Sequence, residues 1–201
     1  MTVRPPFVIG LTGSIGMGKT TTAEMFAAEG VLVWDADAAV HRLYSAGGAA
    51  IESIERLHSA AVIDGAVSRP ELKKWIADDP SALARIENVV HPLVVADRGE
   101  FLEKTDAPII ILDIPLLFET GVGEDMDIVV VVSAPIEIQR TRVLERAGMT
   151  ENQLDAILSK QMPDAEKRAR ADVVIPTESL AEARAAVHEL VVKIRRQLGN
   201  A

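Results

Sequence analysis

The chain has 201 residues with 21 basic and 30 acidic side chains, which gives a formal charge of −9 at pH 7. This length suffices for a substantial core, and the acidic balance argues against non-specific nucleic-acid binding, which needs a basic surface. The sequence has no cysteine, which excludes disulfide bonds, thiolate catalysis and cysteine metal sites. We also expect neither a signal peptide nor a membrane span, and a cytoplasmic location.

The first predicted strand, residues 7–12, leads through a glycine-rich loop into a helix that begins near Gly18 and is predicted to run to residue 29. Residues 13–20 have the G-x-x-x-x-G-K-T spacing of a phosphate-binding P-loop. The glycines allow successive backbone N–H groups to face one concavity, and the helix start adds unpaired N–H groups and a positive dipole end. Lys19 then reaches the β- and γ-phosphates of a nucleotide, and the Thr20 hydroxyl can bind Mg²⁺. A glycine-rich turn that binds nothing is the alternative, and the flanking strand and helix argue against it.

A second predicted strand, residues 31–34, runs into two carboxylates, Asp35 and Asp37. In open α/β sheets, ligands bind at the carboxyl ends of the strands. One of the two acids is expected to cap the following helix, residues 38–44, and the pattern does not say which. The other is free to face a binding site.

Between residues 45 and 105 strand-like runs almost vanish and amphipathic helical patterns take over. A capping-box pattern at residues 68–71 predicts one helix start, and His91-Pro92 predicts an interruption, with Pro92 beginning the next helix. We interpret this region as a helical insertion between the second and third core strands, suited to binding the phosphoryl acceptor. Arg69 and Arg98 are candidate anion contacts, although spaced arginines are more commonly surface residues.

The sheet is predicted to resume with aliphatic strands at residues 108–113, 127–133 and 172–175. Asp113 closes the first of them in the manner of a Walker B strand, which makes it a candidate metal ligand. Helices are predicted from residue 135, from a capping box at residue 150 to about residue 162, and from Ser179 to the C-terminal region. Continuous aliphatic strands that alternate with helices indicate a parallel sheet with helices on both faces. The fold class is therefore α/β: a P-loop NTPase three-layer sandwich with a helical acceptor-binding insertion and a small lid.

The helix after the fourth core strand carries Arg140, Arg142 and Arg146, followed by Gly148. Arg142 and Arg146 are four residues apart and are expected to share one face. A basic helix with a flexible exit is typical of a lid that closes over transferred phosphate, because phosphoryl transfer needs equatorial charge neutralised and water excluded. The alternative is a solvated basic helix face.

The sequence resembles the dephospho-coenzyme A kinase family, through motifs that run the length of the chain. These motifs are LTGSIGMGK at 11–19, DADAAVHR at 35–42, VHPL at 90–93, DIPLLFE at 113–119, QRTR at 139–142 and KRARADVVI at 167–175. The P-loop alone is generic, whereas the whole series in this order is specific to the family. The implied reaction is phosphorylation of the ribose 3′-hydroxyl of dephospho-coenzyme A by ATP with Mg²⁺, the last step of coenzyme A biosynthesis.

The resemblance also implies roles for individual residues. Lys19 matches the phosphate-binding lysine, Asp37 the carboxylate that accepts the proton of the 3′-hydroxyl, and Arg142 the lid arginine that meets the transferred phosphate. Nucleotide contacts are implied for the loop and that arginine: Gly13, Ser14, Ile15, Gly16, Met17, Gly18, Lys19, Thr20, Thr21 and Arg142. Acceptor contacts are implied for Asp37, Arg69, His91 and Phe118, and metal contacts for Thr20 and Asp113.

The implied domains are a nucleotide-binding core (residues 1–34, 107–142 and 171–201), a helical coenzyme A domain (35–106) and a lid region (143–170). Ser14 and Met17 depart from the family pattern at positions that vary among P-loops. Residues 176–179 stand where the family usually has a turn with Asn and Gly near the adenine. We expect a monomer or weak homo-oligomer that binds neither nucleic acid nor membrane.

Two other classes of function remain open from the sequence. A P-loop kinase for nucleoside monophosphates or shikimate would share the loop and the lid but need a different insertion. A nucleotide-dependent switch protein would not turn over a small molecule, and a GTPase of that kind would ordinarily carry an Asn-Lys-x-Asp base-reading motif, which this chain lacks. The compound that generates ADP when it is added with ATP distinguishes these classes.

Overall fold

The structure is a computed structural model that describes residues 5–121 and 125–199. The chain divides into two compact units, one formed by the segments up to Val33 and from Asp106, the other by Trp34–Thr105. None of the helices in the described ranges is both long and apolar enough to cross a membrane.

The elements of the first segment and of the second unit follow in the order β1 (Phe7–Thr12), α1 (Lys19–Ala28), β2 (Leu32–Asp35), α2 (Ala36–Tyr44), α3 (Ile51–Leu57), β3 (Val62–Ile63), β4 (Ala66–Val67), α4 (Arg69–Asp78) and α5 (Ala82–Lys104). The remainder of the first unit contains β5 (Ile109–Asp113), β6 (Ile128–Ser133), α6 (Ile136–Leu144), α7 (Glu151–Leu158), α8 (Asp164–Arg170), β7 (Val173–Pro176) and α9 (Leu180–Gly199).

A parallel sheet with strand order β2-β5-β1-β6-β7 organises the first unit. β1 lies at its centre, so that Leu11 is opposite Asp113 on one side and Val130 on the other. Ser133 in β6 is opposite Pro176 in β7. The carboxyl ends of β1, β5, β6 and β7 therefore lie along one edge of the sheet, where an α/β fold binds its ligands.

Both faces of the sheet are covered, which explains why its strands are aliphatic throughout rather than alternating. One face packs its buried side chains against α1 and α9: Ile9, Leu11, Ile111, Val130, Val132 and Ile175 meet Phe26, Val187, Val191 and Ile194. The other face packs Val129 and Val131 with Leu117. The predicted three-layer α/β class is confirmed.

Two carboxylates hold the register at the starts of the strands. Asp127 Oδ2 accepts a hydrogen bond from the Val8 amide at 2.6 Å, and Asp172 Oδ2 accepts one from the Val129 amide at 2.7 Å. Each acid immediately precedes its own strand and accepts a hydrogen bond from the second amide of the neighbouring strand. Side chains thus supply acceptors where the parallel ladder has not yet begun.

Several predicted helix limits differ from the structure. The predicted capping box of α7 is present, with Thr150 and Gln153 as its partners, but the helix ends at Leu158 rather than near residue 162. α6 ends at Leu144, so Arg146 lies beyond it. The prediction that Arg142 and Arg146 share one helical face is therefore wrong. α8 was not predicted, because its few apolar side chains give it no helical stripe.

The second unit has its own core, in which α2 to α5 surround the buried side chains Ile54, Leu72, Trp75, Ile86 and Val90. Ser68 caps α4 by accepting a hydrogen bond from the Glu71 amide, as its pattern predicts. β3 and β4 form an antiparallel pair that was not predicted from the sequence. The turn between them is Asp64-Gly65, both with positive φ, which is the residue pair that a tight hairpin turn favours.

The prediction that Pro92 begins a new helix is wrong, because α5 continues through it from Ala82 to Lys104. Proline removes one backbone hydrogen bond from a helix interior and usually kinks it. Here Ile86 and Val90 on one side of Pro92, and Leu93 and Val94 on the other, pack in the same core. The apolar stripe therefore continues across the proline, and burial of both halves offsets the lost hydrogen bond.

Candidate active site

The loop between β1 and α1 has the backbone of a phosphate-binding loop. Gly16 and Gly18 adopt φ values of 78° and 87°, which residues other than glycine rarely adopt. A Cβ atom on Gly16 would also lie 2.5 Å from Val143 Cγ2 and 3.0 Å from the Gln139 carbonyl oxygen. The loop is therefore closely packed against α6, and its glycines are required by both conformation and space.

α1 begins directly after Gly18, which makes no side-chain cap. The first amides of a helix have no partner within the helix, and a glycine cap supplies none. The amides at the start of α1, from Lys19 to Thr21, therefore point their donors and the positive end of the helix dipole toward the loop. This arrangement is suited to an anion.

Lys19 forms an ion pair with Asp113 at the carboxyl end of β5. The Nζ–Oδ1 distance is 2.5 Å, and the two side chains are 16% and 3% exposed. The sheet register explains the contact, because Asp113 is opposite Leu11, two residues before the loop begins. The pair holds the lysine ammonium group at the edge of the sheet where the loop opens.

The loop is held in place by the side chains of Gln139 and Gln161 and by the side chain of its own Met17. Gln139 is 3% exposed, and its side-chain amide donates to the Ile15 carbonyl at 2.7 Å. Gln161 accepts a hydrogen bond from the Ile15 amide at 3.1 Å. The Met17 sulfur is 3.1 Å from the Ala134 amide. Both backbone groups of Ile15 are thus paired with distant side chains, so that the loop has one arrangement.

Arg142, on α6, reaches the loop through Thr177. Its guanidinium group donates to the Thr177 carbonyl at 2.5 Å and to the Thr177 hydroxyl at 3.3 Å. That hydroxyl donates in turn to the Met17 carbonyl at 2.7 Å. Arg142 is therefore tied to the P-loop through one intermediate residue.

Arg140 has a different environment, although it lies on the same helix. It pairs with Glu151 and Asp155 on α7, the latter at 3.1 Å. Its guanidinium group links α6 to α7 at the surface. Of the arginines predicted for a lid, the structure thus brings Arg142 to the loop and uses Arg140 between helices.

Lys167 is fully buried and pairs with Glu119 at 2.9 Å, which connects α8 to the segment after β5. Burial acts to raise the pKa of Glu119, but the Met162 amide and the Lys167 ammonium group hold it below its usual value. Phe118, predicted to contact the acceptor, is partly buried and packs against the cluster around Leu117. The Lys167–Glu119 pair was not predicted, because a lysine within a basic run gives no sign of burial.

The structure shows which of the two acids, Asp35 or Asp37, caps α2. Asp35 is the N-cap of α2, and its carboxylate accepts a hydrogen bond from the Ala38 amide at 2.9 Å. Asp37 lies in the first turn of α2 and is exposed. It has no hydrogen-bond or ion-pair partner within residues 5–121 and 125–199.

The other predicted acceptor residues of the second unit are also exposed. Arg69 begins α4, with its guanidinium carbon 5.7 Å from the centre of the Tyr44 ring. His91 lies in the middle of α5 and faces solvent. Burial raises the pKa of Tyr44, and Arg69 partly opposes this. The Arg69–Tyr44 contact was not predicted.

The donors around the loop are suitable for a magnesium ion. Mg²⁺ prefers oxygen ligands, and in kinase sites it is bound through one or two protein groups together with substrate phosphates and water. The Thr20 hydroxyl at the start of α1 and the Asp113 carboxylate beside Lys19 are oxygen donors of this kind. The described residues contain no cluster of three or more His, Cys, Asp or Glu that could hold a metal ion alone.

Comparison with known proteins agrees with the predicted resemblance. The family model for dephospho-CoA kinase matches residues 7–182. A dephospho-CoA kinase of Cereibacter sphaeroides is 57% identical over 190 residues, which cover 94% of this chain and 96% of that protein. One of Ruegeria pomeroyi is 57% identical over 189 residues, with coverages of 94% and 96%.

Among solved structures, a crystal structure of a Thermus thermophilus protein matches with a TM-score of 0.84 and 35% identity, covering 94% of this chain and 98% of that one. A shikimate kinase from Acinetobacter baumannii, in complex with shikimate, matches with a TM-score of 0.51 and 20% identity, covering 96% and 94%, which concerns the fold alone. The family match and the identity to its members extend over nearly the whole chain. The chain belongs to the dephospho-CoA kinase family.

Proposed function

We propose that this chain transfers the γ-phosphoryl group of ATP to the ribose 3′-hydroxyl of dephospho-coenzyme A, giving ADP and coenzyme A. The observation that carries the proposal is a complete P-loop, with its lysine held against Asp113 at 2.5 Å, in a chain that belongs to the dephospho-CoA kinase family. In the reaction the 3′-oxygen forms a bond to the γ-phosphorus while the bond to the β–γ bridging oxygen breaks. ADP leaves with that electron pair, and the proton of the hydroxyl goes to a base.

The P-loop is proposed to hold the β- and γ-phosphates. The loop amides other than those of Ile15 and Met17, together with the first amides of α1, offer donors to the phosphates. They need little reorganisation, because the bonds of Ile15 and Met17 already hold the loop in place. Lys19 neutralises charge on the phosphates as it develops, which is the largest protein contribution in phosphoryl transfer. Asp113, beside Lys19, would also be one of the protein groups that hold a nucleotide-bound magnesium ion.

Arg142 is proposed to contact the transferred phosphoryl group. A planar guanidinium group can bond two phosphate oxygens at once, which an ammonium group cannot. Its bonds to the Thr177 carbonyl and hydroxyl leave other N–H groups for a ligand. Residues 143–170 are proposed as the lid region that excludes water during transfer.

Asp37 is proposed as the base that orients the 3′-hydroxyl and takes its proton. Its carboxylate is exposed and unpaired among the described residues, whereas the Asp35 carboxylate is bonded to the Ala38 amide. A base must accept a new hydrogen bond from the substrate, so the unpaired acid is better suited. Residues 35–106 are proposed as the coenzyme A domain, with Arg69, His91 and Phe118 as acceptor contacts.

Magnesium is proposed to accompany the nucleotide, with the Thr20 hydroxyl and Asp113 as the protein groups that would hold it. When bound, the ion supplies positive charge to the phosphate oxygens. The remaining charge comes from Lys19 and Arg142. Because the chain has a formal charge of −9, such local positive groups are needed to bring a polyphosphate to it.

A coupled assay tests the proposal directly. ATP and MgCl₂ are supplied with dephospho-coenzyme A, AMP, shikimate or no acceptor, and ADP formation is followed. We expect ADP only with dephospho-coenzyme A, together with a product whose mass and retention are those of coenzyme A. Coenzyme A itself is the matched control, because its 3′-oxygen already carries phosphate. ADP formation with AMP or shikimate and none with dephospho-coenzyme A would contradict the proposal.

A further inference from the structure

Thr177 connects three parts of the first unit through one buried side chain. It follows β7 directly and is 5% exposed. Its hydroxyl lies 2.7 Å from the Met17 carbonyl and 3.3 Å from the Ser133 carbonyl, and it accepts a hydrogen bond from Arg142 at 3.3 Å. The Thr177 amide is bonded to the Ser133 carbonyl at 2.9 Å. The side chain therefore joins the P-loop, the end of β6 and the arginine of α6.

The location of this residue gives it influence over the loop. Its side chain lies 3.2 Å from the position that a Cβ atom on Gly18 would occupy, so it packs directly against the last glycine before Lys19. A hydroxyl has one hydrogen to donate and can also accept. Donation to Met17 leaves its lone pairs for Arg142. The orientation of the loop carbonyl and that of the guanidinium group are thus coupled through one oxygen atom.

We propose that Thr177 is a positioning residue, whose hydroxyl sets the guanidinium group of Arg142 relative to the P-loop for phosphoryl transfer. This inference rests on the proposed function of the same site. The part of Thr177 that matters is its hydroxyl, since its carbonyl would contact Arg142 whatever the side chain. In this proposal the Thr177 hydroxyl acts through Arg142 and not through a bond to the nucleotide, because its hydrogen is already donated to the Met17 carbonyl.

The test compares Thr177→Val, which replaces the hydroxyl with a methyl group of similar shape, with Thr177→Ser, which keeps the hydroxyl. Each is measured in the wild-type background and together with Arg142→Ala, with kcat, the KM for ATP and the melting temperature as readouts. We expect Thr177→Val to lower kcat by about tenfold, the scale of one hydrogen bond to a charged group. We expect Thr177→Ser to restore most of the loss, and the KM for ATP to change by less than about threefold.

The double mutant identifies the route of the effect. If Thr177 acts through Arg142, Thr177→Val will change kcat by less than about twofold once Arg142 is alanine. Thr12→Val is the matched control, because Thr12 is also buried and its hydroxyl also bonds a carbonyl, that of Pro115 at 3.1 Å. Thr12→Val should lower kcat by the same factor in the wild-type and in the Arg142→Ala background, because Thr12 does not act through Arg142.

The outcomes separate this inference from the proposed function. No turnover of dephospho-coenzyme A by the wild-type protein would overturn the proposed function, and this inference with it. Normal wild-type turnover with unchanged kcat for Thr177→Val would overturn this inference alone. A raised KM for ATP at constant kcat would show a nucleotide contact instead of positioning. An undiminished effect of Thr177→Val in the Arg142→Ala background would show a purely structural role.

Discussion

The candidate site residues of the two units differ in how the protein holds them. In the first unit Lys19 is paired with Asp113, and Arg142 with Thr177. In the second unit Asp37 and His91 are exposed. Groups that must stabilise developing charge gain from being fixed beforehand, because no reorganisation is then needed at the moment of reaction. A group that must accept a substrate hydroxyl gains from being unpaired until the substrate binds. The comparison predicts that first-unit substitutions affect both folding and turnover, whereas Asp37 substitutions affect turnover alone.

The largest expected effect is that of Lys19→Ala, which should lower kcat by about 10⁴-fold, within the range known for positive charges on the transferred phosphate. It should also destabilise the fold by about 3 kcal/mol, because Asp113, whose side chain is 3% exposed, loses the charge of Lys19. Steady-state kinetics and urea unfolding measure the two losses.

A second substitution separates these losses. Adding Asp113→Asn to Lys19→Ala removes the carboxylate charge that faced the lysine and should recover part of the stability without recovering turnover. If Lys19→Ala alone keeps wild-type stability, the Lys19–Asp113 ion pair does not stabilise the fold of this unit. Near wild-type turnover of Lys19→Ala would show that Lys19 does not contribute to phosphoryl transfer.

Arg142→Lys is expected to lower kcat by about 10³-fold, because a lysine keeps the charge but cannot form the planar pair of bonds. Arg140→Lys is the matched control on the same helix, since Arg140 pairs with Glu151 and Asp155 on α7. Its kcat should stay within about threefold of wild type, as expected for a surface ion pair. Equal losses for the two variants would show that Arg142 has no special role.

Asp37→Asn should lower kcat by about 10²-fold, the lower part of the range for general-base catalysis. ATP affinity and the free energy of unfolding should stay at wild-type values, because the Asp37 carboxylate has no partner in the described part of the chain. Asp35→Asn is the paired variant and should act mainly on stability, by up to about 1 kcal/mol, because it weakens the cap of α2. An inactive Asp35→Asn beside an active Asp37→Asn would reverse the assignment.

The parts of this molecule that could be predicted from sequence are those with a local signature. The P-loop spacing, the aliphatic strands and the capping box at Thr150 each depend on neighbouring residues. The acid at the end of β5 was recognised, but its pairing with Lys19 depends on the register of β1 and β5. The local pattern does not choose between Asp35 and Asp37 as the cap, because each of them precedes a possible helix start between residues 36 and 38.

The features that were missed depend on long-range contacts. Thr177 meets Met17 across 160 residues, and Gln139 meets Ile15 across 124. No local pattern marks a threonine or a glutamine for such a role. The wrong prediction of a helix start at Pro92 has a similar origin. Proline usually interrupts a helix, but here both halves of α5 pack into one core, which the local pattern does not show.

The smallest expected effect concerns Asp97, which holds the second unit together without belonging to its candidate site. Its carboxylate accepts hydrogen bonds from Arg42 at 2.5 Å and from the Trp34 indole at 2.7 Å. The hydrogen bonds from Arg42, and after them that from Trp34, lower the pKa of Asp97 against the opposing effect of burial. A carboxyl group whose pKa is lowered in the folded state stabilises the fold when it is ionised.

The pH dependence of this contribution has a definite sign. The stabilisation is fully present above the unfolded pKa of about 4 and is lost as the pH falls through the lower folded value. Asp97→Asn should therefore cost about 1 kcal/mol near pH 7, a value reduced by the exposure of Arg42, which is 53%. The difference in the free energy of unfolding from wild type should shrink steadily below about pH 4.

Glu52→Gln is the control, because Glu52 pairs with Arg56 at the surface with 78% of its side chain exposed. Its effect on the free energy of unfolding should stay below about 0.5 kcal/mol. Urea unfolding followed by circular dichroism measures both variants across this range, and a cost for Asp97→Asn that grows as the pH falls would contradict the expected sign.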